Sequence, residues 1–128
     1  QTFALAGEPI RNFVTPAGRF ANATTRMSPN EVLLLARRQG RALIPVEEPS
    51  GQRRVLGYVR AVELALGTTD QLPPLKQLVQ LSAKQNYLAA LTKLLEADQG
   101  LGHVVDANGK TLDYVTARDL TTAFLRET

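Results

Sequence analysis

A nine-residue phrase occurs twice in this chain, and it constrains the fold more than any other feature. Residues 56–64 read LGYVRAVEL and residues 112–120 read LDYVTARDL, 56 positions apart in a chain of 128. Six of the nine positions are identical or exchange one acidic residue for the other. A period of this length is the signature of a repeated structural unit. The sequence therefore predicts two copies of one small unit.

Turn-forming residues divide the two copies. Residues 67–74 contain Gly67 and a double proline, a composition typical of a linker. We predict a lead-in segment at 1–13, a first repeat at 14–66, this linker at 67–74 and a second repeat at 75–128. Because each repeat is too small to bury a sufficient core alone, we expect the two to pack sheet to sheet.

Helix and strand signals follow the same order in both copies. In the first copy, Ser28 and Glu31 predict a capping box with Pro29 at the first helical position, and Gly40 is a helix stop. Two short apolar strands and a short helix are predicted next, at 42–46, 54–59 and 61–66.

The second copy carries equivalent signals. Ser82 and Gln85 predict another capping box, and Asn108–Gly109 predicts a hairpin between two short strands. Helical periodicity predicts inward-facing residues on the two helices: Tyr87, Leu88, Leu91, Leu94 and Leu95, then Leu120, Ala123 and Phe124. With a short strand before each copy, at 20–23 or 78–81, the predicted fold class is α/β (α+β). It consists of two β-α-β-β-α repeats with pseudo-twofold symmetry.

Composition excludes several classes of protein. The chain has no cysteine, so it forms no disulfide and no thiolate metal site, and no apolar run approaches the ~20 residues of a membrane helix. It contains no recognisable nucleophile, catalytic triad or phosphate-binding glycine loop, so we do not expect an enzyme. It begins with Gln without a signal-like segment, and we expect it to be a piece of a longer chain that lies on the cytoplasmic side.

The net charge of +3 is concentrated in the first copy. Residues 14–66 carry a net charge of +4, whereas residues 75–128 are neutral. These arginines form either an ordinary solvated face or a surface that binds RNA or another anion. Since no aromatic residues are interleaved with them and no nucleic-acid motif is present, we do not predict nucleic acid as a partner.

Both copies resemble cystathionine-β-synthase (CBS) domains, which occur as tandem pairs called Bateman modules. The resemblance rests on the phrases GRALIPV at 40–46 and YVTARDL at 114–120, and it covers residues 14–126. Val14-Thr15-Pro16 is also similar to the opening of CBS pairs in haemolysin-like, magnesium/cobalt-efflux membrane proteins. The resemblance implies a homodimer formed through the CBS pair, attached to a membrane domain.

The resemblance also implies an adenosine nucleotide, ATP, ADP or AMP, as a regulatory ligand with or without Mg²⁺, and no obligatory cofactor. It assigns the ligand to Thr116 and Asp119, with Tyr114, Arg118 and Arg41 as further candidates. A helix N-terminus at Thr116 offers free N–H groups to phosphate, and the Asp119 carboxylate can accept from ribose hydroxyls. The same two residues also predict a simple capping box, and the two interpretations are compatible.

The first copy departs from this pattern, because Arg60 and Glu63 stand where the second copy has Thr116 and Asp119. We predict that this half-site is degenerate. In the second copy, Asp113 replaces the glycine retained as Gly57, and an inward-pointing carboxylate there would repel phosphate. The sequence therefore supports two functions, a nucleotide-sensing regulatory module and a ligand-free dimerisation module.

Overall fold

The computed structural model describes residues 2–50, 52 and 54–127. The described residues form five α-helices and seven strands, with single 3-10 turns at Ile10–Asn12 and Ala17–Arg19. No helix in this part of the chain is both long and apolar enough to cross a membrane. In chain order the elements are α1 (Thr2–Gly7), β1 (Thr15–Pro16), β2 (Ala23–Thr24), α2 (Pro29–Gln39), β3 (Leu43–Glu47), β4 (Val55–Arg60), α3 (Ala61–Leu66), β5 (Val79–Leu81), α4 (Tyr87–Glu96), β6 (Leu101–Val105), β7 (Thr111–Thr116) and α5 (Ala117–Glu127).

The predicted repeat is present in the fold. The series β2–α2–β3–β4–α3 is followed by β5–α4–β6–β7–α5. In each series the first strand pairs parallel with the second, which forms an antiparallel hairpin with the third. Both hairpins shift register at the same place, between Val46 and Glu47 and between Val104 and Val105. The predicted mixed α and β fold class is therefore confirmed.

The chain divides into two compact units. The first unit is Gly18–Gln77, and we call it the linker unit because it includes the predicted linker at 67–74. It contains the three-stranded sheet β2-β3-β4. The arm unit combines Gln1–Ala17 with Leu78–Thr128 and contains the four-stranded sheet β1-β7-β6-β5. Each unit has its own apolar core, built around Val32, Ile44 and Val59 in the linker unit and around Leu94, Val115 and Leu120 in the arm unit.

These units do not follow the boundaries predicted from the sequence. The predicted lead-in and the start of the first repeat form an N-terminal arm, residues 2–17, which folds with the second repeat. Within it, Leu5 and Ile10 are almost fully buried, and β1 pairs antiparallel with β7. Conversely, Lys76 pairs antiparallel with Tyr58 at the outer edge of β4. Each segment thus covers a strand edge that would otherwise expose unpaired backbone groups.

The capping signals of the two long central helices had different outcomes. The Ser28 hydroxyl accepts from the Glu31 N–H, and the Glu31 carboxylate accepts from the Ser28 N–H, so the predicted box is confirmed. The prediction for Ser82 was wrong, because Asn86 caps α4 by accepting from Ala89 N–H at 2.9 Å. Ser82 and Gln85 instead close the turn that precedes this helix.

The predicted inward-facing stripes were only partly correct. Tyr87, Leu94 and Leu120 are buried in the arm unit. Leu88, Leu95 and Phe124 are exposed. Leu88 and Phe124 line an apolar groove between α1, α4 and α5.

Candidate functional site

The junction between β7 and α5 carries the two leading candidates, Thr116 and Asp119. The Thr116 N–H donates to Asp119 Oδ2 at 2.9 Å, and the Asp119 N–H donates to Thr116 Oγ1 at 3.1 Å. This reciprocal pair is a capping box that satisfies two N–H groups at the start of the helix. Both side chains are half-buried, so the box is partly open to solvent.

The box leaves hydrogen-bonding capacity at its surface. Capping uses only one of the two oxygens of the Asp119 carboxylate, so the other oxygen can accept further hydrogen bonds. The Thr116 hydroxyl accepts one hydrogen bond in the box and can still donate its own proton. An eleven-residue helix begins here, so its dipole favours negative charge at this end. The junction can therefore bind an anion and accept from ligand hydroxyls.

The other candidates in the second repeat occupy different environments. Tyr114 is 1% exposed within β7, where its backbone pairs with His103 on one side and Thr15 on the other. Arg118 lies in the first turn of α5 and is exposed. The structure thus places Arg118 beside the capping box and Tyr114 within the strand that leads to it.

Arg41 lies in the linker unit, directly after α2. Its guanidinium carbon sits 3.6 Å from the centre of the Phe20 ring, a close cation–π contact. Such stacking fixes the direction of a long side chain while leaving the guanidinium N–H groups at its edge able to donate. Arg41 was predicted from the sequence and Phe20 was not, because nothing in the residues around position 20 indicates a stacking partner 21 positions away.

The equivalent junction of the first repeat has no such capping box. Arg60 is the N-cap residue of α3 and its side chain does not cap the helix; its guanidinium lies 5.9 Å from the Tyr58 ring centre. The Glu63 carboxylate forms an ion pair with Lys76 Nζ at 3.2 Å. The two junctions therefore differ in chemistry as well as in sequence, and Lys76 was not identified from the sequence.

Gly57 and Asp113 occupy equivalent strand positions with different neighbours. A Cβ atom at Gly57 would lie 2.7 Å from the Lys76 carbonyl oxygen and 2.8 Å from Leu75 Cβ, so glycine is required there. Asp113 instead pairs with Pro16 of β1, and burial raises the pKa of its carboxyl. Since strand residues alternate between faces, Asp113 lies on the same face of β7 as Val115. Its effect on a bound phosphate stays a prediction.

His103 is the only histidine of the chain, and it is half-buried in β6. Its Nδ1 lies 3.0 Å from the Thr111 hydroxyl, and burial lowers the pKa of the imidazole below its usual 6.5. Among the described residues, no group of three or more His, Asp or Glu side chains could hold a metal ion. The His103 side chain thus connects β6 to β7 through the Thr111 hydroxyl.

We predict a pH dependence of stability that depends on His103. Its pKa is lower in the folded chain than in the unfolded chain, so the unfolded state binds more protons below pH 6.5. The free energy of unfolding should fall as the pH drops from 6.5 towards the folded-state pKa. Urea titrations from pH 7.5 to 5.0 should show this fall in the native chain and a flatter profile in His103→Gln. Identical profiles would contradict the prediction.

No protein-family model matches the chain, and no curated protein matches it. Solved structures do match. The CBS domain of a putative transporter from Clostridium difficile 630 has 21% identity and a TM-score of 0.79, covering 98% of this chain and 100% of that one. A hemolysin-like, CBS-containing protein from Oenococcus oeni PSU has 13% identity and a TM-score of 0.81, and the match covers 94% of this chain and 92% of that one.

A third match is the CBS domain of a bacterial CNNM/CorC family Mg²⁺ transporter in complex with ATP. It has 19% identity and a TM-score of 0.78, covering 96% of this chain and 91% of that one. Because these identities are all below 25%, the matches establish the fold alone. The chain therefore has the fold of a tandem CBS domain pair, and the resemblance seen in its sequence is confirmed at that level.

Proposed function

We propose that this chain is a regulatory CBS pair that binds an adenine nucleotide at the junction of β7 and α5. The observation that carries the proposal is the reciprocal Thr116–Asp119 box, half-buried at the N-terminus of an eleven-residue helix. In the bound state, Asp119 accepts from the ribose hydroxyls. The Thr116 hydroxyl and the first turn of α5 donate to phosphate.

The remaining candidates take supporting roles in this proposal. Arg118 is exposed in the first turn of α5 and supplies a positive charge for phosphate. Tyr114 belongs to the strand that holds the adenosine group. Arg41 lies in the other unit, and its role as a phosphate ligand stays a prediction from the sequence. The first-repeat junction binds no nucleotide, because Glu63 is already ion-paired with Lys76.

The proposal extends to the attached protein. Solved structures with this fold include CBS domains of a putative transporter and of an Mg²⁺ transporter, one of them with ATP. We infer that the chain is the cytoplasmic part of a membrane ion transporter and forms a homodimer through the CBS pair. Occupancy regulates the transporter if the nucleotide prefers one arrangement of the pair over another. When the bound nucleotide has more than one phosphate group, Mg²⁺ binds together with it.

A second candidate function is a dimerisation module without a ligand. It is favoured by the fact that Thr116 and Asp119 satisfy one another, so the box serves the helix without any nucleotide. Binding measurements separate the two functions.

Removing the Asp119 carboxylate should abolish most nucleotide binding. Hydrogen bonds to a charged group contribute about 1.5–3 kcal/mol, so Asp119→Ala should weaken binding by about 10- to 100-fold. Isothermal titration with ATP, ADP, AMP and S-adenosyl compounds, each with and without Mg²⁺, measures this. The matched control is Glu63→Ala at the equivalent first-repeat position, which should bind as the native chain does.

The outcomes distinguish the hypotheses. If no nucleotide binds to the native chain, the dimerisation module is favoured. If both variants bind normally, a nucleotide binds elsewhere and the site assignment is wrong. Asp119→Asn separates charge from capping, because an amide oxygen can still accept the Thr116 N–H.

A further inference from the structure

Three elements of the arm unit meet at the side chain of Tyr87, the first residue of α4. Its hydroxyl donates to the Leu120 carbonyl of α5 at 2.7 Å, in a buried position. Its ring meets the Phe13 ring edge to face, with centres 5.3 Å apart. Its backbone N–H donates to the Glu8 carbonyl at 2.7 Å. One residue thus joins the N-terminal arm, α4 and α5.

The N-terminal arm is attached to the rest of its unit by a small set of identifiable contacts. Ile10 N–H donates to the Gln85 carbonyl at 3.0 Å, and Pro9 forms a β-bridge with Asn86. Leu5 and Ile10 are buried in the same core as Leu120. The arm is one continuous segment, and all these contacts with the rest of the unit are non-covalent, so opening of the arm alone would be a local unfolding event.

The arm and α4 contact the chain on the two sides of the Thr116–Asp119 box. Before the box, β1 pairs with Asp113 and Tyr114 of β7. After the box, the Tyr87 hydroxyl bonds to Leu120, the residue next to Asp119. A change in the first turn of α5 therefore acts on Tyr87, the residue whose ring and backbone N–H contact the arm.

We propose that the N-terminal arm is a docked-or-released element whose equilibrium depends on the state of the Thr116–Asp119 box. This proposal rests on the proposed function for its ligand: a nucleotide that orders the box favours the docked arm. Coupling of this kind is reciprocal, so arm docking must strengthen nucleotide binding by the same factor. The arm is then the element through which nucleotide binding to the CBS pair affects the rest of the protein.

The coupling can be tested first without any nucleotide. Amide hydrogen exchange of Ile10, measured by NMR on the full chain, reports arm opening, and the β6 amides report unfolding of the sheet. Tyr87→Phe keeps the ring contact with Phe13 and removes only the hydroxyl, so Ile10 should exchange about fivefold faster relative to β6. Asp119→Ala should have an effect of similar size, and the control Glu63→Ala should have none.

Unchanged relative exchange of Ile10 in both Tyr87→Phe and Asp119→Ala would overturn the coupling. Equal acceleration of Ile10 and β6 would also overturn it, since that indicates loss of stability throughout the unit.

Repeating the exchange with saturating ATP separates this proposal from the proposed function. If ATP binds and slows Ile10 exchange in the native chain, but not in Tyr87→Phe, the coupling is supported. If ATP binds and Ile10 exchange is unchanged, the coupling is overturned and the nucleotide site stands. If no nucleotide binds, the proposed function is overturned, and the ligand-free variants alone decide the coupling.

Discussion

Gly57→Ala should lower the free energy of unfolding by about 3 kcal/mol, which is a large effect for a single methyl group. The added Cβ would lie 2.7 Å from the Lys76 carbonyl oxygen and 2.8 Å from Leu75 Cβ. Both contacts involve atoms on or next to the backbone, so no flexible side chain can move aside. Relief requires the segment around Lys76 to leave β4, with loss of its two 2.9 Å hydrogen bonds to Tyr58. Urea denaturation at 25 °C measures the change.

Gly7→Ala is the matched control for this substitution. A Cβ at Gly7 meets nothing within 4 Å, so its effect should stay within about 0.5 kcal/mol. Equal stabilities of the two variants would show that the Lys76 segment does not hold β4. The same contacts explain why the repeats differ here: Asp113 faces Pro16 of β1 at the equivalent position.

Ile10→Ala should cost about 3–4 kcal/mol, although this residue lies in a segment predicted from the sequence as a lead-in. Ile10 is 0% exposed and belongs to the core that contains Leu94 and Leu120. Removing three carbon atoms leaves a cavity that the surrounding helices and sheet can fill only in part. Thermal and urea unfolding of the full chain measure the loss.

Leu66→Ala is the control for a similar change at an exposed site. Leu66 is 78% exposed, so its truncation should change stability by less than about 0.5 kcal/mol. A loss below 1 kcal/mol for Ile10→Ala would show that the N-terminal arm is not part of the core.

The features predicted well from the sequence are those encoded by neighbouring residues. The Ser28–Glu31 box and the turn at Asn108–Gly109 each need only a few adjacent side chains, and Gly109 has a φ of 81° in that turn. The repeated phrase located β4 and β7 because both copies keep the same strand-to-helix junction. Local signals therefore identified the fold class and the order of the elements.

The features that the sequence did not predict depend on distant partners. The residues around Leu5 and Ile10 show no clear periodicity, and their burial follows from α4 and α5, encoded far along the chain. Ser82 carries a valid capping pattern, but Asn86 competes with it and caps the helix. Local pattern cannot decide between two caps, since the packed position of the helix determines which one is used.

In the candidate site, too, contacts between neighbouring residues could be predicted and contacts between distant residues could not. The Thr116–Asp119 pair could be predicted with its three-residue spacing, and the structure brings the two side chains together as a capping box. The Arg41–Phe20 stack and the Glu63–Lys76 ion pair involve residues 13 or more positions apart, with no motif to connect them. These contacts distinguish the two copies, and they required the structure.

The pairing of β1 with β7 also affects the order in which the chain can fold. Synthesis proceeds from the N-terminus, and domains generally fold as units when their residues are complete. The linker unit is complete once Gln77 has been made, whereas the arm must wait for a partner strand encoded near the end. Until then Leu5 and Ile10 are exposed to solvent and to chaperones. Pairing of such high sequence separation is slow, so closure of the arm unit should limit the folding rate.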